Sequence, residues 1–168
     1  DGIMPAALDR AARTGMAKVV YLMPTLHNPT TTTMPPERRA RIAEIIRKRG
    51  LTLIEDDPYS FLAPGGPAPV SALIPERAYL TASLSKCLAP GLRMSLVVVP
   101  DAEAAARLAG LLRATLQMPA PLMAAVATRW MRDGTADAIV TAVRAEATAR
   151  QALAREALAG HTYAAHPG

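Results

Sequence analysis

The chain has 168 residues and a formal net charge of +5, from 19 lysines and arginines against 14 aspartates and glutamates. Hydrophobic residues make up 51% and charged residues 20%, which is typical of a globular domain and excludes intrinsic disorder as the main state. The small charge excess and the aromatic content of 4% argue against direct nucleic-acid binding by this chain. A single cysteine, Cys87, cannot form an internal disulfide, and no apolar run approaches the ~20 residues of a membrane span, so we expect a cytoplasmic protein without a membrane anchor.

Short strands alternate with helices in the first hundred residues. Apolar runs with β-branched residues predict strands at residues 18–22, 51–54, 78–82 and 95–99, and the first of these strands is predicted to be buried. Helical spacing predicts helices at residues 8–13 and from the prolines at 35–36 to Gly50, and Ala-rich and Leu-rich sequence predicts three more at residues 102–116, 122–132 and 136–158. This order predicts an α/β fold with a βαβ arrangement.

Polar residues follow three of the predicted strands. Asn28 comes after the first strand, residues 56–59 come after the second, and residues 83–86 come after the third. In open α/β sheets, ligands bind at the carboxyl ends of the strands, so this topology brings the three groups to one edge. Each group taken alone has an ordinary structural explanation, as a turn, a strand-ending cap or a surface charge.

Three segments together resemble the fold type I, pyridoxal-phosphate-dependent aminotransferases. They are Leu-His-Asn-Pro-Thr at residues 26–30, Ile-Glu-Asp-Asp-Pro-Tyr at residues 54–59, and Ser-Leu-Ser-Lys-Cys-Leu-Ala-Pro-Gly-Leu-Arg at residues 83–93. The resemblance is closest to the aminotransferase-like domain of the MocR-type GntR transcription regulators, which follows a winged-helix DNA-binding domain. It implies a three-layer, mostly parallel sheet with flanking helices, part of the large domain of such a transferase, at residues 1–135. It also implies that residues 136–168 form a long helix leading toward a small C-terminal domain absent from this chain.

The resemblance implies a role for each residue at the strand ends. Lys86 is the amine that holds the aldehyde of pyridoxal 5′-phosphate, and we expect it to be enclosed by protein so that it loses its proton readily. Asp56 is the carboxylate that keeps the pyridine nitrogen protonated, and Asp57 is a bystander. Asn28 and Tyr59 donate hydrogen bonds to the phenolic oxygen of the cofactor.

The remaining implied contacts go to the cofactor phosphate. The Arg93 guanidinium donates hydrogen bonds to two phosphate oxygens at once. Ser83 and Ser85 add hydroxyl groups, and Ser83 is the better match to the family position. The structural alternative stays open at this point: Asp56 and Arg93 form an ion pair, and Tyr59 is a partly buried edge of the core.

The loop after the first strand matches the family with one departure. Pro29 suggests a cis peptide after Asn28, as in the family. Thr31 stands where the family usually has glycine, so this loop must turn without its most permissive residue.

The implied function is that of an effector-sensing fragment of a MocR/GntR-type regulator. It takes an amino acid or amine as effector, forms a homodimer, and reaches DNA only through a winged-helix domain absent from this chain. The first alternative is a fragment of an ordinary class I/II aminotransferase that transfers an amino group between an amino acid and a 2-oxo acid, with Lys86 as proton carrier. A second alternative is a dimerisation scaffold.

We expect the isolated fragment to be inactive and to retain the cofactor weakly. The resemblance implies that the family's main phosphate loop, its ring-stacking aromatic residue and its substrate-binding arginine come from segments outside this sequence. No metal site is expected, because His27, His161 and His166 lie far apart and have no partner at ligand spacing.

Overall fold

A mixed four-stranded sheet flanked by helices organises residues 2–165, which are the residues that the computed structural model describes. Asp1 and residues 166–168, among them His166 and the end of the predicted 136–168 region, lie outside the described residues. The elements in chain order are α1 (Pro5–Arg13), β1 (Val19–Leu22), α2 (Pro36–Arg49), β2 (Thr52–Asp56), β3 (Ala78–Ser83), α3 (Leu84–Cys87), β4 (Ser95–Val98), α4 (Ala102–Leu116), α5 (Pro121–Asp133) and α6 (Thr135–Ala157). The α/β class and the predicted helices and strands are confirmed, with ends that differ by a few residues.

The end signals of α2 explain why its bounds match the prediction. Pro36 occupies the first turn, where its missing N–H group is not needed for an intrahelical bond. Gly50 closes the helix in the left-handed conformation (φ +65°), and its N–H group donates to the carbonyl of Arg47 at 3.3 Å. Basic residues fill the last turn, where they interact favourably with the helix dipole.

The strands lie in the order β1-β2-β3-β4, with β1, β2 and β3 parallel and β4 antiparallel to β3. Thr81 pairs with Asp56, and Ser83 pairs with Ser95. Because β4 runs in the opposite direction, the residues just before it lie at the same edge as the carboxyl ends of the other strands. The topology therefore places Arg93 beside the ends of β1, β2 and β3.

The main hydrophobic core lies between one face of the sheet and helices α1 and α2. Its members include Val20, Leu22, Leu53, Ile42 and Ile46, all buried. Burying such side chains contributes about 1.5–3 kcal/mol each.

The opposite face of the sheet is more open. Val19 and Tyr21 are 51% and 60% exposed, so the prediction of a buried first strand is wrong for half of its side chains. All four residues of β4 are exposed as well.

Helices α3, α5 and α6 meet in a second, smaller core. Leu84 and Cys87 pack there with Ala127 and the partly buried Val140, so the Cys87 side chain is part of a hydrophobic core. Arg144 of α6 donates through Nε to the carbonyl of Phe61 at 2.9 Å, so the long helix contacts the loop that follows β2. Among the described helices, none combines the length and apolarity that crossing a membrane requires.

Candidate functional site at the carboxyl edge of the sheet

The seven predicted site residues lie along one edge of the sheet. Asp56 and Ser83 are the last residues of β2 and β3, Asn28 lies in the loop after β1, and Arg93 lies just before β4. Their convergence follows from the strand directions, because three strands end and one begins at this edge.

Both carboxylate oxygens of Asp56 accept hydrogen bonds from hydroxyl groups. The Tyr21 hydroxyl donates to Oδ2 at 2.6 Å, and the Thr81 hydroxyl donates to Oδ1 at 3.0 Å. Across residues 2–165, Asp56 makes no ion pair with Arg93. The structural ion pair that the sequence left open is therefore not formed.

Asn28 and Tyr59 line one cavity of about 310 Å³. Thr31 and Gln151, the latter from helix α6, line the same cavity. The Asn28–Pro29 peptide is cis, as the resemblance suggested. Two donors assigned to one cofactor oxygen thus share a single cavity.

Residues 83–94 form a connection that turns back on itself. The Ser83 hydroxyl accepts a hydrogen bond from the N–H group of Ser85 at 3.3 Å and caps the short helix α3. The N–H group of Leu84 donates to the carbonyl of Met94 at 3.0 Å, which returns Arg93 to the start of the connection. This bond brings the segment that contains Arg93 back to the segment that contains Ser83 and Ser85. In the described residues, no hydrogen bond joins Arg93 to either serine.

Lys86 and Arg93 supply positive charge at this edge. Both side chains are exposed, and within residues 2–165 neither one makes a hydrogen bond or an ion pair. The described residues do not provide the enclosure expected for Lys86. Both cationic groups are free to meet an anionic or carbonyl ligand.

Asp57, the bystander of the sequence interpretation, turns away from this group. Its carboxylate is buried and accepts a hydrogen bond from the N–H group of Ser60 at 2.9 Å, so it stabilises the turn after β2.

The sequence reasoning missed Tyr21 and Thr81. Both lie on the open face of the sheet, Tyr21 in β1 and Thr81 in β3 on either side of Asp56. The sequence of β1, Val-Val-Tyr-Leu, gave no polar alternation that would mark Tyr21, and only the strand register shows that it reaches Asp56.

The loop after β1 adopts a conformation that suits glycine better than threonine. Thr31 has a φ of +57°, and its N–H group donates to the carbonyl of His27 at 2.7 Å. The N–H group of His27 in turn donates to the carbonyl of Thr32 at 2.8 Å. The left-handed conformation is unfavourable for a β-branched residue by roughly 1–2 kcal/mol.

Thr31→Gly is expected to stabilise the chain by about 0.5–1 kcal/mol, since relief of the left-handed strain exceeds the entropy that glycine gains in the unfolded state. Urea unfolding measures this difference. The matched control is Thr32→Gly, outside the left-handed region, which loses a hydroxyl contact to Thr30 (2.9 Å) and is expected to destabilise by about 1 kcal/mol. Equal destabilisation by the two variants would contradict the strain at Thr31.

The donor set at this edge fits pyridoxal phosphate. The cofactor needs an amine for its aldehyde, an anion for its ring nitrogen, donors for its phenolic oxygen, and cationic or hydroxyl groups for its phosphate. Lys86 is an amine and Asp56 a carboxylate at this edge, and Asn28 and Tyr59 line one cavity, so groups of the required kinds are present. By contrast, the described residues hold no cluster of three or more histidine, cysteine, aspartate or glutamate side chains that is arranged to bind a metal.

The fold is that of the fold type I transferases. The model of the aminotransferase class I and II family matches residues 4–165, and the chain belongs to this family.

Particular relatives include both regulators and enzymes. An uncharacterised HTH-type transcriptional regulator of Bacillus subtilis, YdeF, is 40% identical over 100 residues, which cover 60% of this chain and 22% of that protein. An uncharacterised aminotransferase of Saccharolobus solfataricus is 44% identical over 87 residues, which cover 50% of this chain and 22% of that protein. The chain thus spans about a fifth of the length of these curated relatives.

A solved relative carries a cofactor adduct. It is LysN, the α-aminoadipate aminotransferase of Thermus thermophilus, complexed with N-(5′-phosphopyridoxyl)-L-leucine. It superposes with a TM-score of 0.75 at 25% identity, over 83% of this chain and 37% of that one. The resemblance to aminotransferases and to HTH-type regulators is therefore confirmed.

Proposed function

We propose that this chain is the pyridoxal-phosphate-binding, effector-sensing part of a MocR/GntR-type transcription regulator. The observation that carries the proposal is the gathering of Asn28, Asp56 and Arg93 at one sheet edge, beside the connection that contains Lys86. An amine, a carboxylate and a guanidinium at the ends of parallel strands suit a phosphorylated aldehyde cofactor.

Different residues bind different parts of the cofactor. When bound, the cofactor supplies an aldehyde that reacts reversibly with amines and a ring that accepts electrons from the carbon next to the nitrogen. Lys86 holds the aldehyde, Asp56 keeps the ring nitrogen protonated, and Asn28 and Tyr59 donate to the phenolic oxygen. Arg93, Ser83 and Ser85 bind the phosphate.

Sensing follows from competition between two amines. An amino-acid or amine effector that displaces the Lys86 amine from the aldehyde frees that side chain and changes the charge at the sheet edge. DNA is contacted only through a winged-helix domain outside this chain, and YdeF, described as an HTH-type regulator, supports this assignment.

An ordinary aminotransferase is the second candidate, because the Saccharolobus solfataricus relative bears that name. Lys86 would then also act as the proton carrier, accepting the proton from the substrate carbon next to the nitrogen. The parent reading frame separates the candidates, since a basic winged-helix segment upstream belongs to a regulator and not to a plain aminotransferase.

The same proposal extends to organisation and location. Residues 1–135 are part of a large cofactor domain, and residues 136–168 lead toward a small C-terminal domain.

The protein is a cytoplasmic homodimer. Exposed apolar side chains on and after α4 support a subunit contact there: Leu111 (64% exposed), Leu116 (68%) and Leu122 (68%). The single cysteine suits a reducing compartment.

Borohydride reduction tests the role of Lys86. The 168-residue chain is incubated with excess pyridoxal phosphate, reduced, digested, and analysed by mass spectrometry. The expected result is one phosphopyridoxyl group on Lys86, with much less on Lys18 and Lys48, the other lysines of the chain. Site-directed binding raises the local concentration of the aldehyde only at Lys86.

Two variants make the assignment specific. Lys86→Ala should lose the absorption band of lysine-bound cofactor, whereas Lys48→Ala should retain it. Equal labelling of the three lysines, or an unchanged band in Lys86→Ala, would exclude Lys86 as the anchor. We further expect dialysis to remove the cofactor readily from this chain.

A further inference from the structure

The hydroxyl groups around Asp56 come from the two strands on either side of it. Thr81 of β3 is its direct partner in the sheet, and Tyr21 lies on β1 opposite Ile54, two residues before Asp56. The Tyr21 side chain therefore reaches diagonally along the open face to Oδ2, at 2.6 Å, while Thr81 meets Oδ1 at 3.0 Å. Held at both oxygens, the carboxylate cannot rotate without breaking one of the two bonds.

We infer that Tyr21 is a positioning residue that orients and tunes the Asp56 carboxylate for the ring nitrogen of pyridoxal phosphate, with Thr81 as the second support. This inference rests on the proposed function, because it assigns Asp56 to the ring nitrogen. It adds a residue of this chain outside the Asn, Asp, Tyr, Lys and Arg set of the family resemblance.

Two neutral donors change the carboxylate in a defined way. They occupy one lone pair on each oxygen and fix the plane of the carboxylate. Each oxygen keeps a second lone pair for an additional donor. Asp56 would therefore still be able to accept a hydrogen bond from a protonated ring nitrogen held in the plane that Tyr21 and Thr81 set.

The phenol is held in its donating form. The hydrogen bond to Asp56, followed by partial burial, raises the pKa of Tyr21 to about 12. The phenol is accordingly protonated across the range in which proteins of this kind work. A tyrosine whose hydroxyl met only water would titrate near 10.

Tyr79 provides a matched control within the same sheet. It lies on the same face as Tyr21, opposite Ile54 on the other side of β2. In the described part of the chain, its hydroxyl makes no hydrogen bond. Removing each hydroxyl in turn therefore compares a tyrosine that contacts Asp56 with one that does not.

The experiment measures pyridoxal phosphate binding to the 168-residue chain by equilibrium dialysis, together with the pH dependence of the lysine-bound absorption band. Tyr21→Phe is expected to raise Kd about three- to tenfold, the usual effect of one hydrogen bond, and to shift the midpoint of the band's pH profile. Tyr79→Phe is expected to stay within about twofold of the unsubstituted chain and to leave the midpoint unchanged.

A second pair of variants covers the case in which Tyr21→Phe unfolds. Thr81→Val removes the other hydroxyl at almost constant volume and is expected to shift the midpoint in the same direction as Tyr21→Phe. Thr81→Ser keeps the hydroxyl and should restore binding. A purely structural role would change thermal unfolding and leave the pH profile in place.

The outcomes separate this inference from the proposed function. If the unsubstituted chain binds the cofactor at Lys86 and Tyr21→Phe has the same Kd and midpoint, the positioning role is wrong and the proposed function stands. If the chain shows no labelling of Lys86 at all, both are wrong. The phenol titration adds a check without cofactor, because Asp56→Asn should return the pKa of Tyr21 toward about 10.

Discussion

Arg39→Met is expected to destabilise the chain by about 3–5 kcal/mol, the largest effect of any substitution proposed for it. Arg39 is 1% exposed, and its guanidinium donates to the carbonyls of Met34 (2.8 Å), Pro24 (3.0 Å) and Ala68 (3.2 Å) and to the hydroxyl of Thr25 (3.0 Å). Methionine matches the volume and leaves these buried acceptors without a donor.

The substitution also leaves a buried acidic residue without its nearest positive charge. Glu55 is fully buried, and its carboxylate accepts from the N–H groups of Val70 (3.1 Å) and Ser71 (2.6 Å) while lying 4.0 Å from Arg39. Burial lowers the pKa of Arg39, whereas the charge of Glu55 raises it. Breaking one side of such a pair is more harmful than replacing both sides, so Arg39→Met and Glu55→Gln should be strongly non-additive.

Urea unfolding of the variants gives the measurement, with Arg47→Met as the matched control. Arg47 lies on the same helix, and its ion pair with Glu76 (3.0 Å) is half exposed on both sides. Exposed pairs of this kind contribute about 0–1 kcal/mol. Similar losses for the two arginine variants would mean that the buried network contributes nothing beyond an ordinary surface arginine.

The network around Arg39 also links the core to the candidate site. It fixes Pro24 and Thr25, which lead directly into the loop that carries Asn28. Loss of Arg39 should therefore weaken cofactor binding as well as stability, without any contact between Arg39 and the cofactor.

The helices and strands were predictable because their signals are local. Prolines at the start of α2, Gly50 at its end and the apolar run of β1 each act within a few positions. The burial of β1 was predicted less well. Which face of a strand is covered depends on how the helices pack, so Val19 and Tyr21 are exposed although their sequence neighbourhood is apolar.

In the candidate site, too, positions with a local sequence signal were predictable and contacts that depend on packing were not. Asn28, Asp56 and Ser83 stand next to strand ends, and a parallel sheet brings such positions together whatever the rest of the chain does. The contact between Tyr21 and Asp56 spans 35 positions and depends on register, which no local pattern fixes. The pairing of Arg39 with Glu55 was not predicted either, because Glu55 lies on a strand and only the packing of α2 against the sheet brings the two together.

Arg93→Gly is expected to stabilise the fold relative to Arg93→Ala while both variants lose affinity for the cofactor phosphate. Arg93 has a φ of +51°, in the left-handed region, and its side chain is exposed. Both variants lack the guanidinium, but only alanine retains the backbone strain. Glycine should therefore be more stable by about 1 kcal/mol in urea unfolding.

The loss of binding has a different origin. Charge-assisted hydrogen bonds from a guanidinium to a phosphate contribute about 1.5–3 kcal/mol, which corresponds to a loss of roughly 10- to 100-fold in affinity for pyridoxal phosphate. Arg93→Lys keeps the charge without the planar fork, so its affinity should lie between those of the unsubstituted chain and the alanine variant.

Pyridoxal, which lacks the phosphate, is the matched ligand. Its affinity should be the same for the unsubstituted chain and all three variants, because under the proposed function Arg93 would contact only the phosphate, which pyridoxal lacks. An equal loss for both ligands would assign Arg93 to the ring or to the fold. A more stable glycine variant that binds phosphate less well would show that the strained backbone at Arg93 is kept for the position of its side chain, since stability alone favours glycine there.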